Sequence, residues 1–109
     1  MLVMGVAAHA QNKNAKTSIE VDGVCLMCKY RIEKAAVKTK GVKHASWNME
    51  THALSLIYDE RKTDLKTIKT NIAAVGHDTK EVKATEEAYN GVDPCCKYRD
   101  EKVVKDHQD

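Results

Sequence analysis

Between Thr17 and Lys83 the apolar residues change period in a fixed order, and that order restricts the fold more than any other feature of the chain. Thr17-Ser18-Ile19-Glu20-Val21 alternates with the two-residue period of a strand and runs into Asp22-Gly23, a loop signal. From Met27 to about Thr39 the spacing becomes helical: Ile32, Ala35, Ala36 and Thr39 share a side, Lys and Arg lie between them, and Gly41 stops the run. Val42 to Met49 is rich in strand formers, with Ala45, Trp47 and Met49 on one face. Glu50-Thr51-His52 then reverses the chain, and Leu54, Leu56 and Tyr58 line one face of the partner strand. Thr63 is placed to cap a second helix, whose stripe is Leu65, Ile68, Ile72 and Val75 and whose stop is Gly76. Asp78 to Lys83 supplies a short last strand in which only Val82 is strongly apolar, which suits an edge position. Strand, helix, strand, strand, helix, strand is the ferredoxin-like α+β order, with two helices on one face of a four-stranded antiparallel sheet.

At 109 residues the chain has room for one domain of ordinary size. Phenylalanine is absent and aromatics reach only 5%, so the core must be small and aliphatic. Lys and Arg total 18 against 16 acidic residues, mixed along the chain, which gives no electrostatic case for nucleic acid. Residues 1–10 carry no charged side chain and end in Ala8-His9-Ala10, the small-x-small pattern that a signal peptidase accepts. They are expected to be the end of an export signal, residues 11–16 a linker, 17–83 the domain and 84–109 a polar tail. No later apolar run approaches the roughly 20 residues that a membrane span needs, so the expected product has no membrane span and is exported, into the periplasm.

The chemistry concentrates on cysteine. Cys25 and Cys28 stand two residues apart where the loop enters the first helix, so the loop offers one sulfur and the first helical turn the other. Such a pair can converge on one soft ion, Cu(I) first, with Hg(II), Zn(II) and Cd(II) also accepting two thiolates; hard cations want oxygen. Helix-start N–H groups, with Lys29 and Arg31 nearby, are expected to favour the thiolate. Structural zinc normally takes two spaced cysteine pairs, whereas the second pair here, Cys95 and Cys96, is adjacent and lies far along the tail. Two readings of that pair stand side by side: further metal ligation together with Cys25 and Cys28, or disulfides that tether the tail.

Val21-Asp22-Gly23-Val24-Cys25-Leu26-Met27-Cys28, followed by Arg31-Ile32-Glu33-Lys34-Ala35, resembles the metal loop and first helix of heavy-metal-associated domains, the family of copper chaperones and periplasmic mercury-binding proteins. The resemblance continues through Gly41-Val42, Trp47-Asn48, Tyr58-Asp59 and Ala74-Val75-Gly76-His77. It departs at Gly23-Val24-Cys25, where the family's usual Gly-Met-Thr-Cys is one residue longer and carries a methionine. The resemblance implies that His77 lies on a loop facing the metal, either as a third ligand or as an exposed loop histidine. Met27 is expected to cover the site in part, and His44 and His52 to be surface residues.

A carrier or scavenger follows from these features, taking a soft ion from a metal-transporting protein or from the compartment and passing it to an accepting one. It is not expected to be an enzyme, and it is expected to be a monomer or a metal-bridged dimer. The competing function is a thiol–disulfide redox protein using the same Cys-x-x-Cys spacing. Against that stands the missing thioredoxin context: no Trp adjoins the pair in sequence, and the one proline, Pro94, is in the tail.

Overall fold

The computed structural model describes residues 12–92 and 96–108. The expected signal segment, residues 1–10, and Cys95 lie outside the described residues. Three strands are present among them, β1 (Ala15–Glu20), β2 (Val42–Trp47) and β3 (Ala53–Tyr58), with four helices, α1 (Leu26–Lys38), α2 (Leu65–Ala74), α3 (Glu86–Asn90) and α4 (Glu101–Gln108). The sheet is antiparallel in the order β1-β3-β2. β1 begins two residues earlier than its alternation indicates, taking Ala15 and Lys16 from the expected linker.

The period of each segment decides what it buries. On β3, Leu54, Leu56 and Tyr58 face inward and Ser55 faces solvent. Cys28, Ile32, Ala35 and Ala36 form the inner stripe of α1, and Ile68, Ile72 and Ala73 that of α2. All of these buried side chains except Ala73 join Val21 and Trp47 in one core, each fully buried Leu or Ile contributing roughly 1.5 to 3 kcal/mol relative to exposure. Trp47 is held in it by donating Nε1–H to the Val21 carbonyl at 3.0 Å.

The β2–β3 reversal is built on Asn48, whose Oδ1 accepts from the amides of Glu50 and Thr51, and His52 takes a left-handed φ of 66°. Met49 therefore falls in the turn, exposed, and leaves the face shared by Ala45 and Trp47. The α2 cap is Asp64 in place of the expected Thr63: its carboxylate accepts from Thr67 N at 2.8 Å.

The four-stranded sheet requires a larger correction. On the β1 edge, where a fourth strand would add, only a single bridge forms between Val21 and Thr79, beside the bond from Asp22 N to Asp78 O. Thr79 and Val82 bond each other through backbone and hydroxyl, closing a turn over residues that would otherwise extend. With Lys80, Glu81 and Lys83 exposed, nothing apolar draws that segment onto the sheet. Nor do residues 84–109 behave as a polar tail throughout. Thr85 caps α3 by accepting from Ala88 N, Asp100 accepts from Lys102 N at the start of α4, and Val92 and Cys96 join the core.

Candidate metal centre

Cys25 is the residue before α1, in extended conformation with φ −140°, and Cys28 lies in the first helical turn. Cys28 Sγ is thereby brought to 3.5 Å from Cys25 Sγ. Gly23 makes the close packing of this loop possible, because a Cβ there would sit 3.0 Å from the Trp47 ring and 3.1 Å from Cys28 Cβ. Val24, the residue in the shortened part of the loop, is buried in the core.

A third sulfur arrives from the C-terminal segment. Cys96 Sγ lies 2.9 Å from Cys25 Sγ, and the ligand atoms of Cys25, Cys28 and Cys96 all fall within 4.8 Å of one another. All three are buried, Cys25 being 8% exposed and the other two 0%. The sulfur-bearing residues are thus covered, while Leu26 and Met27 between the first two stay exposed.

Burial also reverses the expected ionisation. It pushes the Cys28 thiol above its ordinary value, and the hydrogen bonds from Cys96 and from the Val24 and Cys25 backbone offset only part of this. The Cys96 thiol is driven up strongly, first by burial and then by its two sulfur neighbours. Lys29 gives the sulfurs no help, since its ammonium bonds Glu33 and the Trp47 carbonyl. The apo site at neutral pH therefore holds protonated sulfur at Cys28 and Cys96, and an ion must displace those protons.

His77 is buried, and its Nδ1 is 2.8 Å from the Asp22 carbonyl. A carbonyl can only accept, so Nδ1 carries the proton and Nε2 keeps its lone pair. Nε2 is buried without a hydrogen-bond partner among the described residues. Desolvation, the largest cause, pulls the His77 pKa down to about 4. The ring stacks on Tyr98 with centroids 5.3 Å apart, and His77 is outside the three-cysteine group. Met27 is half-exposed on α1, His44 is exposed, and His52 is half-buried against Trp47 at 5.5 Å.

The residues that fix the C-terminal segment have no counterpart among the sequence expectations. Tyr98 Oη donates to the Gly76 carbonyl at 2.7 Å and accepts from Asp78 N at 3.0 Å. Arg99 bonds both oxygens of Asp78, at 2.8 and 3.2 Å, and the Ala84 carbonyl at 2.9 Å. Burial raises the Asp78 pKa, yet Arg99 and the Ala84 amide outweigh it, so the net shift is downward and the carboxylate stays charged. The available signal was a run of Val92, Tyr98, Val103 and Val104 in an otherwise polar segment, too sparse to show a period.

Residues 18–78, more than half of the chain, match the heavy-metal-associated domain family. The chain belongs to that family. Cys25, Cys28 and His77 fall inside the matched residues of this heavy-metal-associated domain, and Cys96 falls beyond them. A zinc-transporting ATPase of Synechocystis sp. is 35% identical over 77 residues, covering 69% of this chain and 11% of its own length. A copper-exporting P-type ATPase of Staphylococcus haemolyticus is 33% identical over 73 residues, covering 66% of this chain and 9% of its own. The heavy-metal-associated chain thus spans about a tenth of the curated relatives it matches. Among solved structures, the CopZ metallochaperone is 30% identical with a TM-score of 0.58, the alignment covering 60% of this chain and 98% of that one. The ferredoxin-like α+β fold is shared with these domains, and no helix among the described residues is long and apolar enough to cross a membrane.

Proposed function

We propose that this heavy-metal-associated domain binds a soft metal ion, Cu(I) first, through the thiolates of Cys25 and Cys28 and carries it for transfer or scavenging in the cell envelope. The observation that carries the reading is the 3.5 Å approach of the two sulfurs at the start of α1, in a fold whose relatives include a copper exporter, a zinc transporter and a metallochaperone. Two thiolates select soft cations over hard ones. Cu(I) stands first because the pair alone can satisfy it, whereas zinc normally asks for four ligands.

The partner is a metal-transporting or metal-accepting protein. Leu26, Met27 and Tyr30 of α1 are exposed next to the loop, in a groove of about 640 Å³ whose rim includes Arg31, Lys34 and Lys38. That is an apolar face with a positive edge, suited to an acidic-rimmed partner. Export rests on residues 1–10, and fractionation of cells expressing the full chain tests it, since retention in the cytoplasm would refute it.

Titration of reduced protein with Cu(I) against a chromogenic chelator tests the main reading. The parent is expected to strip Cu(I) from the chelator in a one-to-one ratio, and a Cys25→Ser/Cys28→Ser variant to leave the chelator loaded. Equal affinity in parent and variant would end the proposal. Rapid insulin reduction by a parent with no Cu(I) affinity would assign the pair to thiol–disulfide exchange instead.

A further inference from the structure

We infer that Cys96 is a third thiolate ligand for the soft cation, delivered by a C-terminal latch that must lift before the ion can leave; this rests on the reading that Cys25 and Cys28 hold such a cation. Three sulfurs bound to one ion at metal–sulfur bonds of about 2.3 Å stand roughly 4 Å apart. The sulfurs of Cys25, Cys28 and Cys96 lie within 4.8 Å of one another, with two separations of 3.5 and 2.9 Å. A small outward shift of the side chains opens a trigonal site between them.

The position of Cys96 is set by contacts that involve no sulfur. Tyr98 bridges Gly76 and Asp78, and Arg99 clamps the Asp78 carboxylate. Upstream, Val92 is buried in the core, and a Cβ on Gly76 would meet Val92 Cγ1 at 2.6 Å and the Ala88 carbonyl at 2.7 Å. The segment is therefore seated against the turn after α2 on both sides of Cys96, and the third sulfur is held over the pair before any ion arrives. Preorganisation of this kind makes the third ligation an intramolecular event with a high effective concentration.

Binding is a ligand exchange without electron transfer. Each thiol gives its proton to water as its sulfur lone pair enters the metal coordination sphere, and the ion keeps its oxidation state. With three sulfurs in place and the site buried, an incoming thiolate from a partner has no open approach. Release then runs through detachment of Cys96, which makes Tyr98 and Arg99 positioning residues for transfer.

X-ray absorption of the Cu(I)-loaded full chain counts the sulfurs directly, with three expected in the parent and two in Cys96→Ser. Cu(I) affinity of Cys96→Ser should fall on the order of 100-fold while remaining above that of Cys25→Ser/Cys28→Ser, and its release to a chelator should quicken. Arg99→Ala should keep three sulfurs and quicken release as well, a pairing that loss of the ligand itself cannot produce. Two sulfurs in the parent, or identical affinity and release in parent and Cys96→Ser, would overturn the latch while leaving the Cys25/Cys28 reading intact. A count that drops in Cys95→Ser and not in Cys96→Ser would overturn the assignment to Cys96. Undiminished binding by Cys25→Ser/Cys28→Ser would instead remove the reading on which the latch rests.

Discussion

Acidification of the metal-free protein measures how firmly His77 is sealed beneath the C-terminal segment, because it forces a proton toward a buried ring. Burial, the largest cause, and the nearby Arg31 guanidinium lower the His77 pKa from 6.5 to about 4, while the Asp22 carbonyl and the Asp78 carboxylate oppose the shift without cancelling it. The folded-state value is depressed, so the contribution is complete above the unfolded value of 6.5 and is lost as pH falls toward about 4. In that window the unfolded chain binds a proton that the folded chain refuses. At about 1.36 kcal/mol per unit, the shift amounts to about 3 kcal/mol, a large share of the roughly 5 to 15 kcal/mol that holds a domain together. Urea unfolding of reduced, metal-free protein near neutral pH and near the folded-state value, followed by the fluorescence of the one tryptophan, Trp47, reads the loss. His77→Asn is the matched variant, because its side-chain N–H can replace Nδ1–H against the Asp22 carbonyl but does not titrate. It should be less stable than the parent at neutral pH, having lost the stack on Tyr98, and should lose about 3 kcal/mol less on acidification. Asp59, lowered by Arg61, titrates in both proteins and cancels, whereas the coupling of Asp78 to His77 is part of the difference being read. Equal losses in parent and variant would refute the assignment of this window to His77.

Gly76→Ala should strain a backbone at φ 102° by about 1 to 2 kcal/mol and push its new Cβ into Val92. The C-terminal segment should lift, and the buried cysteines should react faster with a thiol reagent under native conditions; unchanged reactivity would show that the seating against Gly76 does not hold the segment. Asp64→Ala removes the α2 cap and should cost about 1 kcal/mol in urea unfolding, whereas a cost below a few tenths would return the cap to another group. Because burial raises the Cys28 and Cys96 thiols, apparent Cu(I) affinity should climb with pH across the neutral range, about tenfold per unit for each proton displaced. A flat profile would mean that the sulfurs are already ionised.

What sequence could reveal here was what is local. Ile32 and Ala35 lie on one face of α1, as do Ile68 and Ile72 on α2, because a helix repeats its own surface. Leu54, Leu56 and Tyr58 share the inner face of β3 because a strand alternates. Cys25 and Cys28 meet for the same reason: two residues between them, at the entry to a helix, suffice. The fourth strand failed because Thr79 satisfies Val82 within a turn, a competition between short-range partners that a count of apolar residues does not weigh. The thiolate expectation failed at Cys28 on desolvation, since the helix start and Lys29 are visible in sequence while the covering of that sulfur is not. That cover comes from residues far away in the chain.

The C-terminal segment shows why such a cover leaves so little trace. Its anchoring uses one hydroxyl and one guanidinium bonded to the loop that the heavy-metal-associated fold already presents after α2, with Val92 packed against Gly76 there. The carbonyl of Gly76 and the amide of Asp78 go to Tyr98, and the carboxylate of Asp78 goes to Arg99. Asp78 already gives its carbonyl to the Asp22 amide, and an extended edge strand would claim the Asp78 amide as well. Instead the chain turns at Thr79, the Asp78 amide is left for Tyr98, and its carboxylate holds Arg99 in the segment that carries Cys96. The strand and the segment that carries Cys96 thus compete for the Asp78 amide, and a substitution that lengthened the strand to claim it should loosen the cover.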